Sequence, residues 1–187
     1  MKKVLIMLAE GFEVLEALSV KDICTRAGVI CDLCGVNSKK IKSSHNIVVE
    51  TDLSLDDEGL SNYDAIVIPG GMPGALNLKE NIRVVELVKD YYATGKIVAS
   101  ICAGPIVLAK AGILNGRKVT SYPCYEEELG NVIYKEDIVV IDENIITSRG
   151  PATAIEFSLA IIKELGYIEK ANEIRAGMLV NFYLGNK

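Results

Sequence analysis

The sequence predicts an α/β fold, a mainly parallel sheet with helices on both faces. Three observations lead there. Short apolar runs alternate with longer amphipathic stretches, the pattern of strands joined by crossover helices. The first run, Val4 to Ala9, is apolar without alternation, as a strand buried on both faces requires. Glycines stand where several amphipathic stretches end, at Gly28, Gly95 and Gly166, and glycine is the usual helix terminator.

Taken in order, strands of the parallel core are expected at Lys3–Leu8, Val29–Cys34, Ala65–Ile68 and Ile97–Ile101, followed by Lys118–Thr120 and Ile145–Thr147. Helices are expected at Glu13–Ala27, Lys79–Thr94, Pro105–Ala111 and Ala152–Leu165, with a last one from about Glu169 to Val180. Two excursions read as antiparallel. Ile41–Leu53 forms a hairpin with the residues before it, and Ile138–Ile141 pairs with Ile145–Thr147 across Asp142-Glu143-Asn144, which has hairpin turn chemistry. No repeat, low-complexity tract or linker interrupts the chain, so residues 1–187 are expected to form one domain.

Composition narrows the function. Half the residues are apolar, and 25 acids against 20 bases give a net charge of −5. Nucleic acid is therefore not an expected partner, because phosphate neutralisation wants a basic face. No apolar run reaches the ~18 residues of a membrane span. The start resembles a signal peptide only until Glu10, so a cytoplasmic location is expected. Five cysteines, an odd number, argue against a disulfide framework and leave room for one special thiol. His45 is the only histidine, which rules out any two-imidazole metal site. Cys31 and Cys34 have a Cys-x-x-Cys spacing, but residues three apart on a strand face opposite sides, so no metal is expected.

The most informative stretch is Ile97-Val-Ala-Ser-Ile-Cys102-Ala-Gly-Pro105. A strand runs into a tight Ala-Gly turn, and Pro105 takes a natural first helical position. Cys102 thus falls at the carboxyl edge of the sheet, where open α/β folds bind ligands. The helix start offers free N–H groups that favour a thiolate and can lower its pKa. The arrangement is a nucleophile elbow with cysteine in place of serine. Ile68-Pro69-Gly70-Gly71-Met72-Pro73-Gly74 follows another strand. Pro69 and Pro73 spoil it as a nucleotide loop. It is either an ordinary turn or a source of oxyanion-binding N–H groups. Ala9-Glu10-Gly11-Phe12-Glu13-Val14-Leu15-Glu16 follows a third strand at the same edge. Glu16, flanked by Leu15 and Ala17, is placed to point inward towards Cys102. A buried glutamate has a raised pKa and can donate a hydrogen bond to a thiolate, then serve as general acid or base.

Weaker signals lie around these. Arg149, in Thr147-Ser-Arg-Gly-Pro151, either binds an anionic substrate group or pairs with a surface acid. Glu126-Glu127-Glu128 reads as a solvated face. Cys124, after Pro123 in a loop, reads as a second accessible thiol.

With Leu8-Ala-Glu-Gly-Phe-Glu and Glu16, Pro69-Gly-Gly-Met-Pro-Gly, Ala99-Ser-Ile-Cys-Ala-Gly-Pro105 and Thr147-Ser-Arg-Gly-Pro151, the chain resembles the ThiJ/PfpI superfamily, specifically its parkinsonism-associated protein deglycase branch. The resemblance spans essentially the whole length. It implies a flavodoxin-like three-layer α/β sandwich, usually a homodimer, working without a cofactor. It implies that Cys102 is an oxidisable nucleophile hydrogen-bonded by Glu16, that the amides of Gly71 and Ala103 form an oxyanion pocket, and that Arg149 lines its anionic corner. His45 would sit where a partner subunit offers a polar group near the site. The substrate implied is a small aldehyde or dicarbonyl, or a protein glycated by one. One departure stands out: after Lys118-Val-Thr-Ser the family commonly has a histidine, and this chain has Tyr122. Tyrosine is no base near neutral pH. The departure weakens a peptidase or amidohydrolase reading and leaves two others. One is a glyoxalase or deglycase using Cys102 and Glu16; the other is an oxidative-stress sensor or redox-regulated chaperone in which Cys102 becomes a sulfinate.

Overall fold

A computed structural model describes residues 1–185; residues 186 and 187, the end of the expected 1–187 domain, lie outside the described residues. In chain order the elements are β1 (Lys3–Leu8), α1 (Val14–Ala27), β2 (Ile30–Gly35), β3 (Lys40–Lys42), β4 (Val48–Glu50), β5 (Leu53–Ser54), β6 (Ala65–Ile68), α2 (Gly74–Glu80), α3 (Ile82–Ala93), β7 (Ile97–Ile101), α4 (Pro105–Lys110), β8 (Lys118–Val119), β9 (Ile133–Tyr134), β10 (Val139–Asp142), β11 (Ile145–Ser148), α5 (Ala154–Glu164), α6 (Ile168–Gly177) and α7 (Val180–Tyr183).

Seven strands form one sheet in the order β10-β11-β7-β6-β1-β2-β5. All neighbours are parallel except β10 with β11. Side chains alternate between two buried layers. Leu5, Met7, Ile66, Ile68 and Val98 meet Leu78, Val85, Val88 and Ile106 of α2, α3 and α4. Val4, Ile6, Val67, Ala99 and Ile101 meet Val20, Ile23, Phe157 and Ile161 of α1 and α5 on the other face. This is the expected flavodoxin-like sandwich. The chain leaves β1 towards β2 on one side and returns to β6 on the other, so the topological switch lies between β1 and β6, where such sheets open a crevice.

Several elements depart from expectation. The span 79–94 is two helices rather than one: Asn81 breaks it by accepting from the N–H groups of Arg83 and Val84, which caps α3. The hairpin is confined to β3 and β4, a separate two-stranded sheet, while Leu53 joins the main sheet beside Cys34. Lys118–Val119 does not enter the parallel core but pairs with β9, because the β10–β11 hairpin already covers that edge. Arg117 holds β8 there through Asp142 at 3.1 Å and Glu143 at 2.7 Å. The last helix is interrupted at Leu179, whose φ of 60° is left-handed. Cys31 and Cys34 do fall on opposite layers. Among the described residues no helix is long and apolar enough to cross a membrane.

Candidate active site

Four loops at the carboxyl edge of adjacent strands β1, β6, β7 and β11 converge. Cys102 follows β7 with φ 64°, a left-handed conformation that a residue other than glycine adopts only at a cost. Its peptide is held on both sides. The Cys102 N–H donates to Ser148 O at 3.0 Å, and Cys102 O accepts from Tyr122 N–H at 2.9 Å. The strained turn lifts the side chain off the sheet, leaving it half-buried. The elbow expected from Cys-Ala-Gly-Pro is therefore present.

Glu16 comes from the first turn of α1 and is completely buried. Its Oε2 accepts from Gly70 N–H at 2.7 Å, while Oε1 is buried with no hydrogen-bond partner. Gly70 is where the pieces meet. A Cβ there would lie 2.7 Å from Cys102 Cβ, 2.8 Å from Ala103 N and 2.8 Å from Glu16 Oε2, so only glycine lets the three approach. Gly71, with φ 85°, turns its backbone against the loop after β1, where a Cβ would come within 2.4 Å of Glu13 N. The two loops are joined there by Glu13 N–H donating to Gly70 O at 3.0 Å.

Burial lifts the Glu16 carboxyl from 4.5 to about 7, against the opposing pull of Cys102 and the Gly70 amide. Burial also raises the Cys102 thiol, and the Glu16 carboxylate raises it further; the N–H groups of Ala103 and Gly71 pull it down. This corrects the expectation of a thiol simply lowered by a helix start. The two acids sit too close to ionise together, so the pair carries at most one negative charge and titrates as a unit.

The remaining candidates divide. The N–H groups of Ala103 and Gly71 favour the charged form of the Cys102 sulfur. Tyr122 is brought in by its backbone, while its half-exposed ring packs over Gly150, whose Cβ position lies 3.3 Å from the ring edge. Arg149 makes no ion pair among the described residues, and its Nη1 is buried without a hydrogen-bond partner. His45 is not brought to Cys102. Its Nδ1 lies 3.4 Å from Glu13 Oε2 and 3.1 Å from Ser44 Oγ, on an exposed turn of the β3–β4 hairpin. Neither Tyr122 nor His45 therefore supplies an imidazole to the thiol within this chain. Sequence reasoning left Gly70 open between an ordinary turn and an oxyanion-binding N–H, without its contact to Glu16, and missed Tyr125, whose phenol is raised by burial and then by Cys102. Among the described residues no group of three or more His, Cys, Asp or Glu is placed to hold a metal ion.

A family model described as the DJ-1/PfpI family matches residues 2–164. Protein dj-1beta of Drosophila melanogaster is 38% identical over 184 residues, covering 97% of this chain and 98% of that protein. Its crystal structure superposes with a TM-score of 0.90 at 38% identity, over 95% of this chain and 97% of that one. An oxidized Toxoplasma gondii DJ-1 gives a TM-score of 0.89 at 35% identity, over 96% and 98% of the two chains. Glutathione-independent glyoxalase DJR-1.2 of Caenorhabditis elegans is 35% identical over 175 residues, covering 92% of this chain and 94% of that protein.

Proposed function

Since the chain belongs to the DJ-1/PfpI family, we propose that it is a cofactor-free enzyme of the glyoxalase or deglycase type, acting on small dicarbonyls or the adducts they form on proteins. The observation that carries this reading is the strained Cys102 beside a fully buried Glu16 whose carboxyl is raised to about 7. The C. elegans relative named as a glutathione-independent glyoxalase supports the substrate class.

In the reactive form the single negative charge rests on sulfur and the proton on Glu16. The Cys102 thiolate adds to the aldehyde carbon of methylglyoxal, and the new oxyanion is received by the Ala103 and Gly71 N–H groups. Glu16 gives its proton to that oxyanion and, now a carboxylate, moves a proton from the former aldehyde carbon to the neighbouring carbonyl carbon by way of an enediol, which leaves a lactoyl thioester on Cys102. Water releases lactate and restores the thiol, so the sum is methylglyoxal plus water to lactate. Arg149 is proposed to receive an anionic substrate group at its unpartnered Nη1. We further propose a homodimer, for which exposed Leu15, Ile47 and Val48 on α1 and the hairpin offer an apolar surface.

The test has two parts. Reduced protein is expected to form lactate from methylglyoxal without glutathione; no lactate above the uncatalysed background would overturn the reading. Alkylation of Cys102 by iodoacetamide should rise with pH around an inflection above that of an ordinary thiol, because burial and the Glu16 carboxylate both oppose the thiolate. In Glu16→Gln that inflection should move downward, since the carboxylate that opposes the thiolate is gone while the Ala103 and Gly71 amides that favour it remain. The same inflection in both proteins would exclude Glu16 as the proton holder. A second reading, a sensor in which Cys102 is oxidised to a sulfinate held by the same amides, is favoured by the likeness to an oxidized Toxoplasma gondii DJ-1.

A further inference from the structure

Of the five cysteines, Cys24, Cys31 and Cys34 are buried, and only Cys124 joins Cys102 in reaching the surface. Cys124 occupies the third position of a tight turn. Tyr125 N–H donates to Tyr122 O at 3.4 Å, Pro123 is second, and Cys124 has φ 83°. Proline followed by a positive-φ residue is the type II pattern, whose third position normally belongs to glycine. The turn itself therefore gives no reason for a cysteine.

The same turn is fastened to the nucleophile. Tyr122 N–H donates to Cys102 O at 2.9 Å, which puts the Cα atoms of Tyr122 and Cys102 within about 7 Å by standard backbone dimensions. Cys124 follows two residues later in a turn that folds back on itself. Tyr122, Pro123 and Cys124 are exposed, while Tyr125, the fourth residue of the turn, packs partly buried against the core.

We propose that Cys124 is a resolving thiol for Cys102, and that hydroperoxide converts the two into a reversible disulfide. The Cys102 thiolate attacks the peroxide. An S–O bond forms, the O–O bond breaks, water (or an alcohol) leaves, and Cys102 becomes a sulfenic acid. The Cys124 thiolate then attacks that sulfur; the S–S bond forms, the S–O bond breaks, and hydroxide departs as water. Two thiols lose two electrons in total and one peroxide gains them. A disulfide needs Cα atoms about 4.4–6.8 Å apart, so the turn closes on Cys102 as the bond forms. The consequence is protection: the enzyme is switched off reversibly before a second oxygen can commit Cys102 to sulfinate. The inference rests on Cys102 being the reactive thiol, and not on any particular carbonyl substrate.

The experiment is peroxide titration of the full chain, followed by alkylation, trypsin and mass spectrometry. Cys102 and Cys124 fall in separate tryptic peptides, 97–110 and 119–135, each with no other cysteine. Wild type should yield a cross-linked pair of these peptides, lighter by two hydrogens, and dithiothreitol should restore its lactate-forming rate. Cys124→Ser, and Cys124→Gly as a variant that suits the positive φ, should keep the reduced rate. After the same treatment they should instead carry two added oxygens on Cys102 and recover no more than about a tenth of the rate. Wild type passing straight to the two-oxygen adduct with Cys124 still free would overturn the proposal, as would a Cys124 disulfide formed only between two chains. If Cys102 reacts no faster than the buried thiols, both this proposal and the activated-cysteine reading fall; a missing cross-link with a reactive Cys102 removes this one alone.

Discussion

Cys102→Ser is expected to reduce lactate formation from methylglyoxal by at least about a thousandfold while leaving the fold intact. Oxygen replaces sulfur at a half-buried position, the left-handed backbone is retained, and the hydrogen bonds to Ser148 and Tyr122 are made by main-chain atoms. What changes is the nucleophile. A serine hydroxyl ionises far less readily than a thiol, and Glu16, itself protonated up to about pH 7, is a poor base to activate it. The comparison uses purified proteins with matching thermal melts and a lactate readout. A serine variant within tenfold of wild type would place the chemistry elsewhere.

Glu16→Gln is expected to do the opposite to stability from what it does to activity. The folded carboxyl has a value of about 7 against an ordinary 4.5. The fold thus favours its neutral form. That contribution is complete below pH 4.5 and is lost as pH rises through 7. The gap corresponds to about 3 kcal/mol, the cost of keeping Glu16 charged in the fold at pH 8. Glutamine is neutral at every pH, and its carbonyl oxygen can still accept from Gly70 N–H. At pH 8 the variant should melt several degrees above wild type, with the advantage fading at pH 5; about 2 kcal/mol would raise the melting temperature by roughly 4–8 °C in a chain of this size. Turnover should fall by about a hundredfold or more, because no proton can be passed. Equal melting curves at pH 8 would mean that Glu16 is not the strained, buried acid described here. Sites that trade stability for chemistry show this inverse pattern.

Much of this site could be read from residue order, and the reason is local. Cys102, Ala103 and Pro105 are consecutive or nearly so, and the strand-turn-helix they encode needs nothing from the rest of the chain. Glu16 was legible through its place among apolar neighbours. The unread parts depend on what lies across space. Gly70 becomes special only once Cys102, Ala103 and Glu16 crowd around it. The reciprocal effect of Glu16 on the thiol follows from burial of both groups, which no local pattern reports. In the fold, Asn81 interrupts a helical apolar pattern by capping from within it. Lys118–Val119 has strand character but loses its place because a nearby hairpin, closed by the two-residue turn Glu143-Asn144, reaches the sheet edge first. Resemblance assigns His45 to a position where a partner subunit offers a polar group near the site; within the chain its Nδ1 lies 3.4 Å from Glu13 Oε2.

The back-to-back seating of the loops after β1 and β6 has one more effect. Because Gly71 lies against Glu13 and Gly11, and Gly11 in turn against Pro73, neither segment can loosen without the other. Amide protons of Glu13 and Gly70 should therefore exchange with solvent in a single concerted opening, measurable by native-state deuterium uptake, rather than fraying one at a time. Access to the sulfur and cohesion of the sheet crevice would then share one energetic threshold, so that a variant loosening either loop exposes the thiol to indiscriminate chemistry.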